Sequence, residues 1–249
     1  MSDPAYRREE LLIAVIAQLL EPCRSVAVGS ASPITGAAAL LAQAQSGGRL
    51  RVSLLGSHRH NPFTNGGVEL FDCAAQGRID AFFLGGGQID GAANLNLVGI
   101  GAYPRLSVRW PGSFGSAHLY HLIPRVILFR EEHTRRVLVP RVDFISAAGP
   151  SSNDVNRRGG PYALVTGRCL FLFDRARRRF RLASVHPGHD AGEIAEHTGF
   201  AFDRPPEVPV TPVPDSRTVA VLRERVAVGI AEVYPRFAET VFGGARTAA

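Results

Sequence analysis

A chain of 249 residues, 45% hydrophobic and 20% charged, can bury a full core as one large domain and is too mixed in composition for a disordered or fibrous protein. Its formal charge is +6 and all 28 basic residues are arginine, so neither a lysine Schiff base nor a P-loop can form. Three isolated cysteines (Cys23, Cys73, Cys169) without CxxC spacing, and the lack of any eighteen-residue apolar run, argue against disulfides, a zinc site and a transmembrane helix, and fit a reducing cytoplasm.

Asp3-Pro4 reads as a helix cap with proline at the first helical position, and Leu12, Val15, Ile16 and Leu19 then repeat at helical spacing, predicting an amphipathic helix. The opening MSDPAYRREELL is a poor secretory signal. SVAVG (25–29) is a short apolar strand. A second helix starts at Ser32-Pro33 and stops at Gly47-Gly48. Residues 50–55 form the next strand, 68–76 a helix, and IDAFFL (79–84) a further buried strand. Apolar strands alternating with helices predict an α/β fold with an open, mostly parallel sheet covered by helices on both faces.

The second half is richer in strands: RVILF (125–129), RVDFI (141–145), YALVT (162–166) and CLFLF (169–173), the last paired with 180–185 as a hairpin across DRARRR. Asp190 and Glu193 have capping-box spacing ahead of a helix stopped by Gly199. Residues 204–214 hold five prolines and read as an extended linker before a last amphipathic helix over 216–233. The expected organisation is an α/β domain over 1–203 and, over 204–249, the linker and a C-terminal helix packed on that domain.

Two runs stand out for chemistry. Gly85, Gly86 and Gly87 follow a strand directly and lead into Gln88, Asp90, Asn94 and Asn96. Glycines there admit close backbone approach, and ligands sit at the carboxyl ends of strands in open α/β sheets; the competing reading is a glycine turn with its own polar groups satisfied. WPGSFGSAH (110–118) crowds small residues around Ser113 and Gly115 but lacks the spacing of a serine nucleophile elbow. The paired histidines (His58/His60, His118/His121, His186/His189) have no HExxH partner, so no metal is expected. The arginine run at 175–181 lacks interleaved stacking aromatics and reads as an exposed hairpin tip rather than a nucleic-acid surface.

An absence is as informative: nothing acidic lies between Glu21 and Glu69, and the segment over 50–67 reads LRVSLLGSHRHNPFTNGG.

Taken in order, these pieces resemble the β subunits of family I coenzyme A transferases. GGGQIDGAANLN (85–96) is similar to the family's GGxQVDxxGNLN stretch. WPGSFGSAHL (110–119) is similar to its glycine-rich loop, with departures. ILFREEHTRRVLVPRVDFISAAG (127–149) and SVHPGHDAGEIAEHTGF (184–200) resemble two further segments. The resemblance covers residues 25–202. It implies an α subunit of the same family as partner, an α2β2 assembly, an active site at the junction of the subunits, and acyl-CoA substrates with no separate cofactor, membrane or nucleic acid. It also implies a glutamate nucleophile that forms covalent intermediates, at a position that here falls near Gly56 and Ser57. Neither can do carboxylate chemistry, so no catalytic residue is assigned to this chain. The resemblance instead implies thioester and CoA binding by Gly85, Gly86, Gln88, Asp90, Asn94, Asn96, Ser113, Gly115 and His58.

The substituted LLGSHRHNPF agrees best with a branch whose complex opens the last steroid ring of a CoA thioester by retro-Claisen cleavage in actinobacterial cholesterol catabolism, with the acid-base glutamate in the α subunit. Two other readings stay open: a conventional transferase of 3-oxoacid or glutaconate type using Glu69 or Asp72, and a non-catalytic subunit that completes its partner's pocket.

Overall fold

In the computed structural model, residues 5–152 and 154–243 are described, so the expected Asp3-Pro4 cap lies outside the described residues. They divide into two compact units.

The first unit comprises residues 1–70, 78–81 and 212–249. Helix α1 (Arg8–Leu19) starts behind Arg7, whose backbone N–H donates to Glu10 Oε2 at 2.7 Å. It is not amphipathic as expected. All its residues from Glu10 to Ala17 are buried, because apolar side chains run around the whole circumference. Strand β1 (Ser25–Val28), helix α2 (Pro33–Gln45) and strand β2 (Arg51–Leu54) follow as predicted, with Pro33 opening α2. The strands pair in parallel from Ser25 opposite Arg51 to Val28 opposite Leu54. Helix α2 packs on α1, and Gly36 lets it close on the tail: a Cβ there would meet Ile230 at 3.0 Å and Leu54 at 3.3 Å. Helix α3 (Gly66–Ala75) begins in this unit.

The second unit comprises residues 71–77 and 82–211. Strand β3 (Ala81–Leu84) leads into the short strands β4 (Gln88–Ile89), β5 (Leu95–Asn96), β6 (Gly99–Ile100) and β7 (Val108–Arg109). Helix α4 (Ser116–Leu122) precedes β8 (Arg125–Arg130), β9 (Pro161–Thr166), β10 (Cys169–Asp174), β11 (Arg179–Val185) and α5 (Ala191–His197). β8 and β9 are parallel; β10 pairs antiparallel with β9 and, as the predicted hairpin, with β11. Phe171, Phe180 and Phe200 gather beside the hairpin, with ring centroids 5.8 Å and 5.6 Å apart across Phe180.

Overall the fold is α/β, as expected, on a mostly parallel seven-stranded sheet ordered β11-β10-β9-β8-β3-β1-β2. Several expectations need correction. RVDFI (141–145) is not a strand. Its polar groups go to side chains instead of a ladder: Asp143 N donates to Gln88 Oε1 at 3.0 Å and Val142 N to Asp90 Oδ2 at 3.5 Å. Asp190 caps α5 by accepting from Gly192 N and Glu193 N, at 2.7 Å and 2.9 Å, but Glu193 does not reciprocate. It pairs with Arg168 Nη1 at 2.7 Å and His189 Nδ1 at 2.8 Å. Gly199 does not end α5 by a left-handed turn; it approaches the Leu138 carbonyl oxygen too closely for any Cβ.

The proline-rich segment is extended, and it is tied to β11 through Val185 N to Pro209 O (3.0 Å) and Thr211 N to Val185 O (2.7 Å). The last helix runs through 216–231 but is not regular. α6 (Ser216–Val221) passes into a π-helical turn over Leu222–Val226, then α7 (Ala227–Ala231), and Pro235 opens an unforeseen α8 (Pro235–Phe242). Among the described residues no helix is long and apolar enough to cross a membrane.

Candidate functional site

The acid-free segment forms a compact turn at the carboxyl end of β2. Gly56 takes φ +90°, which side chains resist, and Leu54 N donates to His60 O at 2.9 Å, closing the turn. Ser57 is buried and its hydroxyl organises the turn, accepting from His60 N at 2.8 Å and Arg59 N at 3.1 Å. It donates in turn to Glu232 Oε2 at 2.7 Å. The other oxygen of Glu232 accepts from His58 N at 2.7 Å and Arg59 N at 3.2 Å. A carboxylate therefore does reach this loop, from 175 residues away in sequence. Burial opposes its ionisation, but the Ser57 hydroxyl, the two amides and the Arg59 charge outweigh that and hold the Glu232 carboxyl below the usual range. Sequence reasoning missed Glu232, since no local pattern marks a contact of that span. The side chains of His58 and Arg59 are exposed.

Glu69, the nearest acid in sequence, is occupied otherwise. Its carboxylate accepts from Thr64 N and Thr64 Oγ1, both at 2.6 Å, and the Thr64 hydroxyl foremost lowers its pKa. Asp72 lies exposed on α3.

In the second unit, the run from Gly85 to Asn96 folds as a β4–β5 hairpin whose polar side chains satisfy one another. Asn96, fully buried, donates to Gln88 Oε1 at 2.8 Å and to Gly99 O at 2.7 Å. Gln88 Nε2 donates to Asp143 Oδ2 at 3.1 Å. Asp90 Oδ1 accepts from Ala92 N and Asn94 N at 3.0 Å and 3.1 Å, and its Oδ2 from Asn94 Nδ2 at 3.0 Å. Asn94 Oδ1 accepts from Gly149 N at 2.9 Å. These four side chains hold the loop's shape. The glycines admit protein neighbours: the Trp110 ring lies where a Gly87 side chain would be, and the Phe129 carbonyl oxygen would sit 3.2 Å from a Cβ on Gly85. Gly85 is exposed at the end of β3, while Gly86 is buried.

The second glycine-rich loop leads into α4. Ser113 is half-buried and its carbonyl accepts from Ser116 N at 2.9 Å. Phe71 occupies the space a Gly115 side chain would need, and its ring lies tilted at 5.7 Å from that of Phe114, which is 89% exposed with φ +44°. Ser116 Oγ is buried without a hydrogen-bond partner.

The histidines do other work. His118 packs edge-on against Phe71 at 5.6 Å, and His189 pairs with Glu193. His186 is buried against Thr211 Oγ1 (2.9 Å) and Thr166 O (3.1 Å). Among the described residues no group of three or more His, Cys, Asp or Glu gathers as metal ligands. The arginines of the hairpin tip are tied down: Arg177 and Arg179 to Asp203 at 2.8 Å and 3.2 Å, Arg175 to Pro124 O at 2.6 Å and Arg178 to Ser151 O at 3.1 Å.

A family model described as Coenzyme A transferase matches residues 10–197. The chain belongs to the coenzyme A transferase family. Within that family it is 29% identical over 153 residues to the B subunit of the 3-oxoadipate CoA-transferase of Pseudomonas knackmussii, covering 59% of this chain and 58% of that one. It is 28% identical over 160 residues to the cholesterol ring-cleaving hydrolase IpdB subunit of Rhodococcus jostii, covering 63% and 62%. The chain thus spans less than two thirds of the length of these curated relatives. The crystal structure of the decarboxylase AibA/AibB superposes with a TM-score of 0.75 at 27% identity, covering 96% of this chain and 99% of that one. A transferase, a ring-cleaving hydrolase and a decarboxylase are thus all among the relatives of this family member.

Proposed function

We propose that this chain is the β-type subunit of a heteromeric enzyme that cleaves a carbon–carbon bond of an acyl-CoA, with the working carboxylate supplied by an α-type partner. The preferred reaction is hydrolytic opening of the last steroid ring. One observation carries the reading. The turn where the family resemblance places a nucleophile, Gly56 to His60, has no acid of its own, and the carboxylate that reaches it among the described residues, Glu232, is held by Ser57, His58 and Arg59. A carboxylate engaged by three donors and lowered in pKa is a weak nucleophile. The similarity to the IpdB subunit supports the substrate class.

Chemically, water adds to a ring ketone activated by a second carbonyl. The ring carbon–carbon bond then breaks, its electrons passing into an enolate. The partner's carboxylate takes the water proton and returns it to carbon. In this chain, the backbone at Gly85 and Gly86 and the hydroxyl of Ser113 are the groups left to steady the developing charge, because Gln88, Asp90, Asn94 and Asn96 are engaged internally. An α2β2 assembly in a reducing cytoplasm fits this reading and the three free cysteines.

Decarboxylation is the second reading. It is favoured by the AibA/AibB similarity over nearly the whole chain and makes the same demand, cleavage to an enolate. The test is co-purification with the α-type subunit, followed by assay with a ring-intact steroid CoA thioester in 18O-labelled water. Ring-opened product carrying one label supports the proposal. Release of CO2 from a carboxyl-bearing acyl-CoA without label uptake supports the second reading. A glutamyl-CoA thioester trapped on this chain by borohydride refutes both in favour of transfer.

A further inference from the structure

The C-terminal segment grips both loops that follow the parallel strands of the first unit. Glu232 holds the turn after β2. Two residues on, Tyr234 Oη accepts from Ser32 N at 3.1 Å, in the loop after β1. Between them, Val233 would lie 3.6 Å from a Cβ on Gly56. The carboxyl ends of such strands are where α/β sheets bind ligands. The turn after β2 is neither helix nor strand. Beside the backbone bonds of Leu54 N to His60 O and Ser57 N to Leu54 O, its shape over 57–60 is held by hydrogen bonds that converge on two side chains, Ser57 and Glu232.

We propose that Glu232 is a positioning residue for the reaction assigned above: it fixes the turn so that the exposed side chains of His58 and Arg59 project from the end of β2 toward an anionic part of the bound acyl-CoA. Arg59 presents a planar fork suited to phosphate or carboxylate, and His58 a second donor. The amides that Glu232 holds are at the surface, where water can replace the carboxylate, so its removal costs geometry more than stability. This inference rests on the reading of the chain as a catalytic β-type subunit.

The test uses the αβ complex with Glu232→Ala and Glu232→Gln, comparing kcat, KM and hydrogen exchange at the His58 and Arg59 amides. Glu232→Ala lowers kcat/KM about tenfold or more, as misplacement of contact groups does, and exposes the His58 amide to exchange while the complex stays assembled, the Arg59 amide keeping its bond to Ser57 Oγ. Glu232→Gln keeps an acceptor for the amides and recovers activity to within about threefold of wild type. Full activity in Glu232→Ala with the His58 amide deprotected overturns the proposal. So does Glu232→Gln as impaired as Glu232→Ala, which would assign the charge itself. If the wild-type complex is inert on the steroid thioester but active on another acyl-CoA, only the ring-opening reading falls, and the same variants on that substrate decide the role of Glu232.

Discussion

Arg223, in the π-helical turn, donates from Nε and Nη2 to the carboxylate of fully buried Glu10 on α1, at 2.7 Å and 3.0 Å. Arg7 adds its backbone N–H to the same carboxylate and donates from Nη1 to Val241 O at 2.8 Å. The acid thereby joins the first helix to the π-helical turn, and the Arg7 side chain joins it to α8. Breaking a buried pair leaves an uncompensated charge. Arg223→Ala is expected to destabilise by about 3 kcal/mol in urea titration. The double change Glu10→Met with Arg223→Met, which removes both charges, should cost less than that single one.

His133 lies between Thr166 Oγ1 and Thr198 Oγ1, at 2.8 Å and 3.0 Å from its two ring nitrogens, and is 3% exposed. Burial first, then the Arg168 charge, pushes its pKa down to about 4. A histidine lowered on folding stays neutral in the native state while the unfolded chain takes up a proton. Stability therefore declines as pH falls from about 6.5 to about 4, by about 3 kcal/mol from this residue alone, and no further below. Urea midpoints measured across that window should show the slope, and His133→Gln should flatten it. An unchanged slope in the variant would remove His133 as its source.

The Asn96 amide fills its hydrogen-bonding capacity in a site without solvent: two bonds donated, and two accepted, from Val98 N at 2.9 Å and Gly99 N at 3.3 Å. Asn96→Ala strands those two amides and leaves Gln88 Oε1 with Asp143 N alone. A loss of about 2 kcal/mol is expected in thermal or chemical denaturation. Asn94, half-buried, should lose less on the same change.

Gly149 presses against Ala92, so that an added Cβ would strike the Ala92 carbonyl oxygen. Gly149→Ala should destabilise by about 2 kcal/mol or more, through backbone displacement. Gly47 provides the contrast. It has φ +64° and no neighbour within 4 Å, so Gly47→Ala should cost only about 1 kcal/mol, from backbone strain alone. Equal losses would contradict the steric account.

Local pattern made much of this fold legible. The apolar strands β1, β2, β3 and β8 and the β10–β11 hairpin announce themselves by composition and by the intervening charged turn. The segment 141–145 alternates in the same way and yet is no strand, because Asp143 is captured by Gln88, 55 residues earlier. That pairing also decides what the glycine- and asparagine-rich run is for, and neither half of it shows its partner. The acid gap before Glu69 was visible, but the carboxylate that fills it was not. Glu232 follows directly on α7, beyond a π-helical turn that has no sequence signature, and its contact depends on chain closure over 175 residues.

That π-helical turn, Leu222–Val226, winds more widely than its flanks and so accommodates one residue more than a regular helix would. Successive residues of an α-helix are offset by roughly 100° around the axis. Deleting one residue within the π turn returns regular winding and leaves the azimuth of Glu232 nearly unchanged. The same deletion in α7, where nothing absorbs it, swings Glu232 off the loop it holds without altering a single side chain.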